Sequence, residues 1–179
     1  MSNKPSIPSI FLVGPLAAGK STIGRLLARE LNRQFYDTDQ ELEHATGASI
    51  AWIFDLEGEL GFRKREEAMI DQLSQIPNIV LATGGGSLLS PYARQILRSR
   101  GHVIHLQVSL QEQVQRTLRD KHRPLIQTND RRGALEKLYA EREPLYHEVS
   151  DWSILTDSGP SSRIVSDIYA YLLEQFSLS

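Results

Sequence analysis

The chain has 179 residues, no cysteine, and 20 Lys plus Arg against 22 Asp plus Glu, for a net charge of −2. This length suits one domain with its own core, and the lack of cysteine excludes disulfides and thiol chemistry. The charge balance provides no basic surface for nucleic acid or for an acidic membrane, and the first apolar run, Ile10–Val13, is too short for a signal peptide or a membrane span. We expect a single cytoplasmic, monomeric domain over residues 1–179 that binds neither nucleic acid nor a membrane.

Short apolar, β-prone runs alternate with amphipathic stretches along the chain. A loose polar tail is predicted over residues 1–9. Strands are predicted at residues 10–13, 34–36, 79–82, 103–108 and 152–155. Helices are predicted at residues 22–32, 40–45, 50–54, 59–76, 91–101, 110–118, 134–143 and 162–176. This alternation predicts an α/β fold of three layers, with helices on both faces of a five-stranded parallel sheet.

One segment, over residues 119–132, is polar, basic and irregular. It shows neither helical nor strand periodicity, so it predicts a mobile loop. A kinase lid would occupy such a segment, at approximately residues 118–131.

Residues 14–21 fit the phosphate-binding loop G-x-x-x-x-G-K-[ST]. Gly14 and Gly19 let backbone N–H groups approach a polyphosphate closely, and Lys20 carries a positive charge to the β and γ phosphates. Ser21 is the expected Mg²⁺ ligand at the start of the following helix, whose N-terminus favours anions. A chance match in an ordinary strand-to-helix turn is the alternative. The order of strand, loop and helix favours the phosphate loop.

Two carboxylates, Asp37 and Asp39, follow the second predicted strand. In an extended segment, alternation places both on one face, so both could enter one cleft. There a carboxylate can hold Mg²⁺ through water, or accept the proton of a substrate hydroxyl. The alternative is that aspartate caps the next helix.

Three consecutive glycines, Gly84, Gly85 and Gly86, follow the third predicted strand. Glycine here is costly unless a ligand needs close approach to the main chain. A flexible connection is the alternative interpretation.

Three dispersed arginines are candidates for binding negative charge. Arg123 lies in the polar mobile segment, where a lid would deliver a charge on closing. Nothing local distinguishes Arg63 and Arg142 from surface arginines, and Arg142 could be an ion-paired helix end.

The histidines and large aromatic residues are interpreted as structural. His102 and His105 lie three apart in a predicted strand, which sends them to opposite faces and excludes a shared metal. Trp52, Phe54 and Phe62 are assigned to the core.

Taken together, the chain resembles the shikimate kinases, in the nucleoside monophosphate kinase-like branch of phosphate-loop (Walker A) proteins. The resemblance rests on six stretches in the family's order, namely residues 14–22, 35–39, 57–63, 83–86, 123–125 and 142–146. The phosphate loop alone indicates only a superfamily, whereas the set is specific in combination.

The resemblance implies ATP-dependent, Mg²⁺-assisted transfer of a phosphoryl group to the 3-hydroxyl of shikimate, on the route to chorismate and aromatic amino acids. It implies a nucleotide site formed by Gly14, Ala17, Ala18, Gly19, Lys20, Ser21, Thr22, Arg116, Arg123 and Gly159. It implies metal binding by Ser21 and Asp37, and catalysis by Lys20, Asp39 and Arg123. The implied shikimate site lies in a helical region at approximately residues 37–65 and beyond it, and consists of Asp39, Arg63, Gly84, Gly85, Gly86 and Arg142.

Two departures from the family pattern stand out. Ala17 occupies a position where the family commonly has glycine, and the loop at residues 157–162 offers Gly159 for a backbone contact with adenine. Two other functions remain open at this stage. One is a kinase of the same fold for another acceptor, such as gluconate, and the other is a regulatory nucleotide-binding module without catalysis.

Overall fold

The computed structural model describes residues 7–119, 121 and 123–177. The strands are β1 Ile10–Val13, β2 Gln34–Asp37, β3 Ile79–Ala82, β4 His102–Gln107 and β5 Trp152–Leu155. The α-helices are α1 Lys20–Glu30, α2 Thr38–Thr46, α3 Ile50–Ser74, α4 Pro91–Arg100, α5 Leu110–Thr117, α6 Arg131–Val149 and α7 Ser161–Phe176. Short 3₁₀ helices lie at Ser87–Leu89 and Pro124–Ile126.

The strands form one five-stranded parallel sheet in the order β2-β3-β1-β4-β5, as the sequence predicts. Strand β1 is central, and its Leu12 pairs with Ala82 of β3 and with Ile104 of β4. All four residues of β1 are fully buried. Continuous apolar burial is typical of a parallel strand that is covered on both faces.

Helices cover both faces of the sheet, so the expected three layers are confirmed. Ile10 and Leu12 pack in a core cluster with residues of α1 and α7. Phe11 and Val13 pack in a second cluster with residues of α3, α4 and α6. The two pairs separate because successive side chains of a strand point to opposite faces. No described helix is both long enough and apolar enough to cross a membrane.

Two predicted helices, at residues 50–54 and 59–76, are joined into α3 with a kink between them. Gly58 lies at the kink with φ 69° and ψ −178°, a conformation that side-chain-bearing residues rarely adopt. The sequence thus separates the two helical segments correctly, and the structure shows that no loop lies between them.

Helix α6 is longer than predicted, because it continues through Pro144 to Val149 instead of ending at residue 143. An internal proline costs a helix about 3 kcal/mol. Tyr146 and Val149 are 1% and 2% exposed within the second core cluster. Burial of these two side chains offsets the cost of the proline.

The chain segment before β1 is not a loose tail where the structure describes it. Ile7 and Ser9 are buried, and the Arg33 guanidinium donates hydrogen bonds to the carbonyls of Ile7 and Pro8. The expectation of a loose tail is therefore wrong for residues 7–9, while residues 1–6 lie outside the described part of the chain.

Candidate active site

A cavity of about 380 Å³ opens where the loops after β1, β2 and β3 meet. Ligands bind at the carboxyl ends of the strands in open α/β sheets. Its charged lining consists of Asp39, Glu43, Glu66, Arg63, Arg123 and Arg142. The rest of its lining includes Leu16, Phe54, Phe62, the three glycines 84–86 and residues 124–126.

The phosphate loop connects β1 to α1, with glycine required at its start. Gly14 has φ 152°, and a Cβ atom there would lie 2.3 Å from the carbonyl oxygen of Leu106. Ala17 also has a positive φ, 62°, although it carries a side chain. The glycine that the family commonly has at this position would adopt this conformation without strain.

Lys20 folds back over the loop, where its Nζ donates 2.8 Å hydrogen bonds to the carbonyls of Gly14 and Pro15. Burial, and secondly the positive charge of Arg123, lower the pKa of Lys20 to about 7. A bound polyphosphate would favour the charged ammonium and reverse this shift.

Asp37 has two roles in the structure. Its Oδ1 accepts hydrogen bonds from the amides of Asp39 (3.0 Å) and Gln40 (3.2 Å), which makes it the N-cap of α2. Its Oδ2 accepts a hydrogen bond from the Ser21 hydroxyl. The capping alternative is therefore right for Asp37, but capping occupies only one of its oxygens.

The Ser21 hydroxyl and the Asp37 carboxylate are a pair of hard oxygen donors beside the phosphate loop. The described residues contain no cluster of three His, Cys, Asp or Glu side chains suited to a metal. Mg²⁺ commonly binds one or two protein oxygens and takes its other ligands from water and phosphate. The Ser21 and Asp37 pair fits that preference.

Asp39 lies in the first turn of α2, because the helix begins at Thr38. The argument from strand alternation is therefore wrong, although Asp39 does line the cavity. Its Oδ1 is shielded from solvent and has no hydrogen-bond partner among the described residues. Burial, then the negative charges of Glu66 and Asp37, raise the pKa of Asp39 to about 6. At pH 7 it is mostly an ionised carboxylate with an unused acceptor.

Arg63 and Arg142 approach the same cavity from different helices, α3 and α6. Arg63 donates to Glu66 (2.9 Å) and to Glu59 (3.4 Å). Arg142 is 7% exposed, and its burial lowers its pKa. Among the described residues it forms no ion pair, so its interpretation as an ion-paired helix end is wrong. The Nε atoms of both arginines are buried, and the described part of the chain offers neither of them a hydrogen-bond partner.

The three glycines leave room for the charged side chains around them. A Cβ on Gly84 would lie 2.4 Å from Oε2 of Glu66, and a Cβ on Gly86 would lie 2.4 Å from Nη2 of Arg63. The carbonyl of Gly85 accepts a 2.6 Å hydrogen bond from the Tyr146 hydroxyl. The segment is thus tightly packed, and the flexible-connection interpretation is wrong.

Two polar residues were not predicted from the sequence, namely Glu66, which lines the cavity, and Tyr146, which contacts its glycine wall through Gly85. Glu66 is 2% exposed, and burial raises its pKa against the opposing effect of Arg63. Tyr146 lies in the stretch 142–146, on which the family resemblance partly rests, but the sequence assigned it no role of its own. Glu66 could have been predicted as the partner of Arg63, because residues three apart on a helix can form an ion pair. For Tyr146 the signal was weaker: a buried tyrosine usually forms a hydrogen bond through its hydroxyl, but the sequence does not show with which group.

The aromatic residues assigned to the core divide into two groups. Phe62 is buried, and its ring centroid lies 4.6 Å from that of Phe54. Both rings also line the cavity. Trp52 is 56% exposed, so its assignment to the core is wrong.

His102 and His105 point to opposite faces of the sheet, as expected. His102 hydrogen-bonds to Tyr171 of α7 at 3.0 Å, whereas His105 stacks on Tyr146 of α6 with ring centroids 4.9 Å apart. The helices concerned cover opposite faces of the sheet.

Most of the expected nucleotide residues lie around the phosphate loop. The Nη1 of Arg116 donates to the carbonyl of Ala17 at 3.0 Å, and Thr22 lies in the exposed first turn of α1. Arg123 precedes the 3₁₀ helix Pro124–Ile126 and lines the cavity. Gly159 has φ 90° in the turn before α7.

A kinase that phosphorylates a small molecule needs a polyphosphate site beside an acceptor cavity. Leu16 of the phosphate loop lines the acceptor cavity, so the two sites adjoin each other. The fold and the site therefore define a phosphate-loop kinase with a small acceptor.

Comparison with known proteins identifies the kind of kinase. The shikimate kinase family model matches residues 16–173. Shikimate kinases of Legionella pneumophila (strain Corby) and Vibrio campbellii are 54% and 52% identical, over 93% of this chain and 95% and 96% of theirs. A solved shikimate kinase from Acinetobacter baumannii in complex with shikimate is 43% identical, with a TM-score of 0.93 over 96% of each chain. The chain belongs to the shikimate kinase family.

Proposed function

We propose that this chain transfers the γ-phosphoryl group of ATP to the 3-hydroxyl of shikimate, giving shikimate 3-phosphate and ADP on the route to chorismate. One observation carries the proposal beyond family membership. The cavity beside the phosphate loop is lined by two arginines with buried Nε atoms and by a carboxylate with a shielded oxygen, and none of these atoms has a hydrogen-bond partner within residues 7–119, 121 and 123–177. These groups complement an acceptor that has both a carboxylate and hydroxyl groups.

Arg63 and Arg142 bind the shikimate carboxylate in this proposal. A guanidinium matches a carboxylate with two parallel hydrogen bonds, which an ammonium cannot do. Arg63 is already oriented by its 2.9 Å bond to Glu66. Gly84, Gly85 and Gly86 bring main-chain groups beside the bound acid, and Phe54 and Phe62 cover the apolar side of its ring.

Asp39 orients the acceptor hydroxyl and takes its proton as the bond to phosphorus forms. The pKa of about 6 keeps it mostly ionised at neutral pH while making it a better base than an ordinary aspartate. Its shielded Oδ1 is the atom proposed to accept the proton.

The nucleotide occupies the phosphate loop, residues 14–22. Lys20 leaves the loop carbonyls and pairs with the phosphates, with Arg123 adding charge as the phosphoryl group moves. Ser21 and Asp37 hold Mg²⁺, which supplies charge neutralisation at the phosphate oxygens. Residues 118–131 act as a lid that limits hydrolysis of ATP by water. In this proposal, Arg116 and Gly159 contact the adenine ring of the bound nucleotide.

A coupled assay of ADP release tests the proposed reaction. We expect rapid release with ATP, Mg²⁺ and shikimate, and only background release without shikimate or with gluconate in its place. Equal release with and without shikimate would contradict the proposal, and release with gluconate would assign another acceptor.

A further inference from the structure

The five carbonyl groups of residues 14–18 all accept hydrogen bonds from side chains. Two of the donors lie outside the residues assigned to the site so far. Gln113 donates from Nε2 to the carbonyl of Leu16 at 2.8 Å. The Thr156 hydroxyl shares its proton between the carbonyl oxygens of Ala18 (3.0 Å) and Gln107 (2.9 Å), and it accepts from Nη1 of Arg116 at 3.3 Å.

Between these two contacts, Arg116 bonds to the carbonyl of Ala17 at 3.0 Å. The remaining two carbonyls, of Gly14 and Pro15, are bound by Lys20. Lys20 is proposed to move to the phosphates when nucleotide binds. The contacts to residues 16–18 do not depend on Lys20 and can persist in the bound state.

The location of each donor is determined by the fold and not by the loop. Gln113 lies on α5 and is 2% exposed, and Thr156 directly follows β5 and is 3% exposed. The amide of Thr156 donates to the carbonyl of Gln107 at 2.8 Å, which extends the pairing of β5 with β4. Both side chains are therefore anchored before they contact the loop.

A peptide group is planar, so anchoring its oxygen also fixes the direction of the N–H on its other side. The anchored carbonyls of residues 16, 17 and 18 belong to the peptide planes that carry the amides of Ala17, Ala18 and Gly19. Backbone amides of such a loop bind phosphate oxygens. Holding the carbonyls of Leu16 and Ala18 consequently keeps the amides of Ala17 and Gly19 directed away from the anchoring side chains, while the amide of Ala18 donates to the carbonyl of Pro15 at 3.3 Å within the loop.

We propose that Gln113 and Thr156 are positioning residues of the nucleotide site, which hold the phosphate loop in its binding conformation through its carbonyl groups. This inference rests on the proposed function, in which the loop binds the phosphates of ATP. Neither side chain lines the acceptor cavity. Their loss therefore weakens nucleotide binding and leaves shikimate binding unchanged.

The test compares Thr156→Val, which removes the hydroxyl and keeps the shape, with Thr156→Ser, which keeps the hydroxyl. Thr117→Val is the matched control, because Thr117 is 1% exposed and its hydroxyl bonds only within α5, to the carbonyls of Gln113 (2.9 Å) and Val114 (3.2 Å). Calorimetry measures the Kd of ADP with Mg²⁺ and, separately, the Kd of shikimate.

We expect Thr156→Val to raise the Kd of ADP about tenfold, the size of one buried hydrogen bond, and to leave the Kd of shikimate within about twofold. Thr156→Ser should restore ADP binding, and Thr117→Val should not change it. Gln113→Met, which keeps the length of the side chain without its amide, should act like Thr156→Val and replaces it if that variant does not fold.

An ADP affinity within about twofold of the unchanged chain in both Thr156→Val and Gln113→Met would overturn the inference, as would equal losses of ADP and shikimate binding. Failure of the unchanged chain to bind ADP would instead refute the proposed function. The two failures are therefore distinguishable.

Discussion

The phenol of Tyr146 donates a 2.6 Å hydrogen bond to the carbonyl of Gly85, and Tyr146 lies four residues after Arg142 on α6. Residues four apart on a helix share a face. The same face of α6 thus supplies a buried guanidinium to the cavity and fixes the glycine segment that forms its wall.

Replacing Tyr146 with phenylalanine should weaken both the fold and acceptor binding. The carbonyl of Gly85 loses its partner, at a cost of about 1–3 kcal/mol in the free energy of unfolding. We expect a higher Kd for shikimate with an unchanged Kd for ADP, measured by calorimetry beside urea unfolding. Tyr36→Phe is the control, since its hydroxyl bonds only to exposed Gln34, and its effect should stay within about 0.5 kcal/mol. Equal stability of the two variants would contradict the prediction.

Asp39→Asn should abolish turnover while making the ligand-free protein more stable at neutral pH. Folding raises the pKa of Asp39 to about 6, so its ionisation opposes folding. This penalty is absent below about pH 4, grows up to about pH 6 and is complete above that, where it is on the order of 1–3 kcal/mol.

Thermal unfolding at about pH 4 and pH 7.5 checks the sign of this effect, because only the higher pH should show the gain in Asp39→Asn. Asp167→Asn, on the exposed face of α7, should show no such difference. For the same reason, kcat/KM for shikimate should fall as the pH drops through about 6, the pKa of the Asp39 carboxyl. Turnover by Asp39→Asn close to that of the unchanged chain would exclude Asp39 as the base.

Arg142→Ala should reduce shikimate affinity by about 2–5 kcal/mol, the range for removing one partner of a buried charge pair. Arg142 provides a cleaner test than Arg63, whose removal would also leave the buried carboxylate of Glu66 without its ion-pair partner. Arg142→Lys keeps the positive charge but loses the planar guanidinium that forms two parallel hydrogen bonds, so this variant should bind shikimate with intermediate affinity. Arg98→Ala, exposed on α4, is the control. An unchanged calorimetric Kd for shikimate in Arg142→Ala would rule out the carboxylate assignment.

Nucleotide binding should be accompanied by proton uptake at alkaline pH. The pKa of Lys20 is about 7 without ligand, so at about pH 8 most molecules carry a neutral amine there. The phosphates favour the ammonium form, which raises this pKa and draws a proton from the buffer. Calorimetric titrations of ADP in buffers with different ionisation enthalpies measure the uptake. Lys20→Met should show none, and a binding enthalpy independent of the buffer in the unchanged chain would contradict this mechanism.

Ala17→Gly should stabilise the protein by up to about 1 kcal/mol. The left-handed conformation, φ 62° here, costs a residue with a Cβ roughly 1–2 kcal/mol. Glycine avoids this cost but adds about 0.4–1 kcal/mol of conformational entropy to the unfolded chain. The adjacent Ala18 has no positive φ, so Ala18→Gly should destabilise. Urea unfolding compares them, and destabilisation by both variants to the same extent would show that Ala17 is unstrained.

The sequence predicted the elements whose signals are local. The apolar runs of β1 and β3 and the glycines of the phosphate loop need no knowledge of distant residues. Asp39 and Arg123, which line the cavity, were also predicted from local signals, namely their positions after a strand and in a polar segment.

Other features depend on contacts between distant segments, and the sequence could not specify them. Arg142 became distinguishable from a surface arginine only when α6 packed against the sheet and buried it. Pro144 favours an end to that helix, and only the burial of Tyr146 and Val149 outweighs it. Gln113 and Thr156 carry no motif, because their function lies in the carbonyl groups they contact.

The small cluster of Leu42, Ile53 and Phe62 is distinct from the two main cores that enclose β1, and Met69 packs against both this cluster and the second core. The phosphate loop follows β1, which is fully buried. Much of the acceptor side of the cavity is instead supported by the small cluster. Substitutions within this small cluster, away from Asp37 and Asp39 at the start of α2, can reshape what the cavity accepts with little disturbance of the phosphate loop. In this architecture, a change of acceptor during evolution requires substitutions on one side of the cavity and leaves the nucleotide site unchanged.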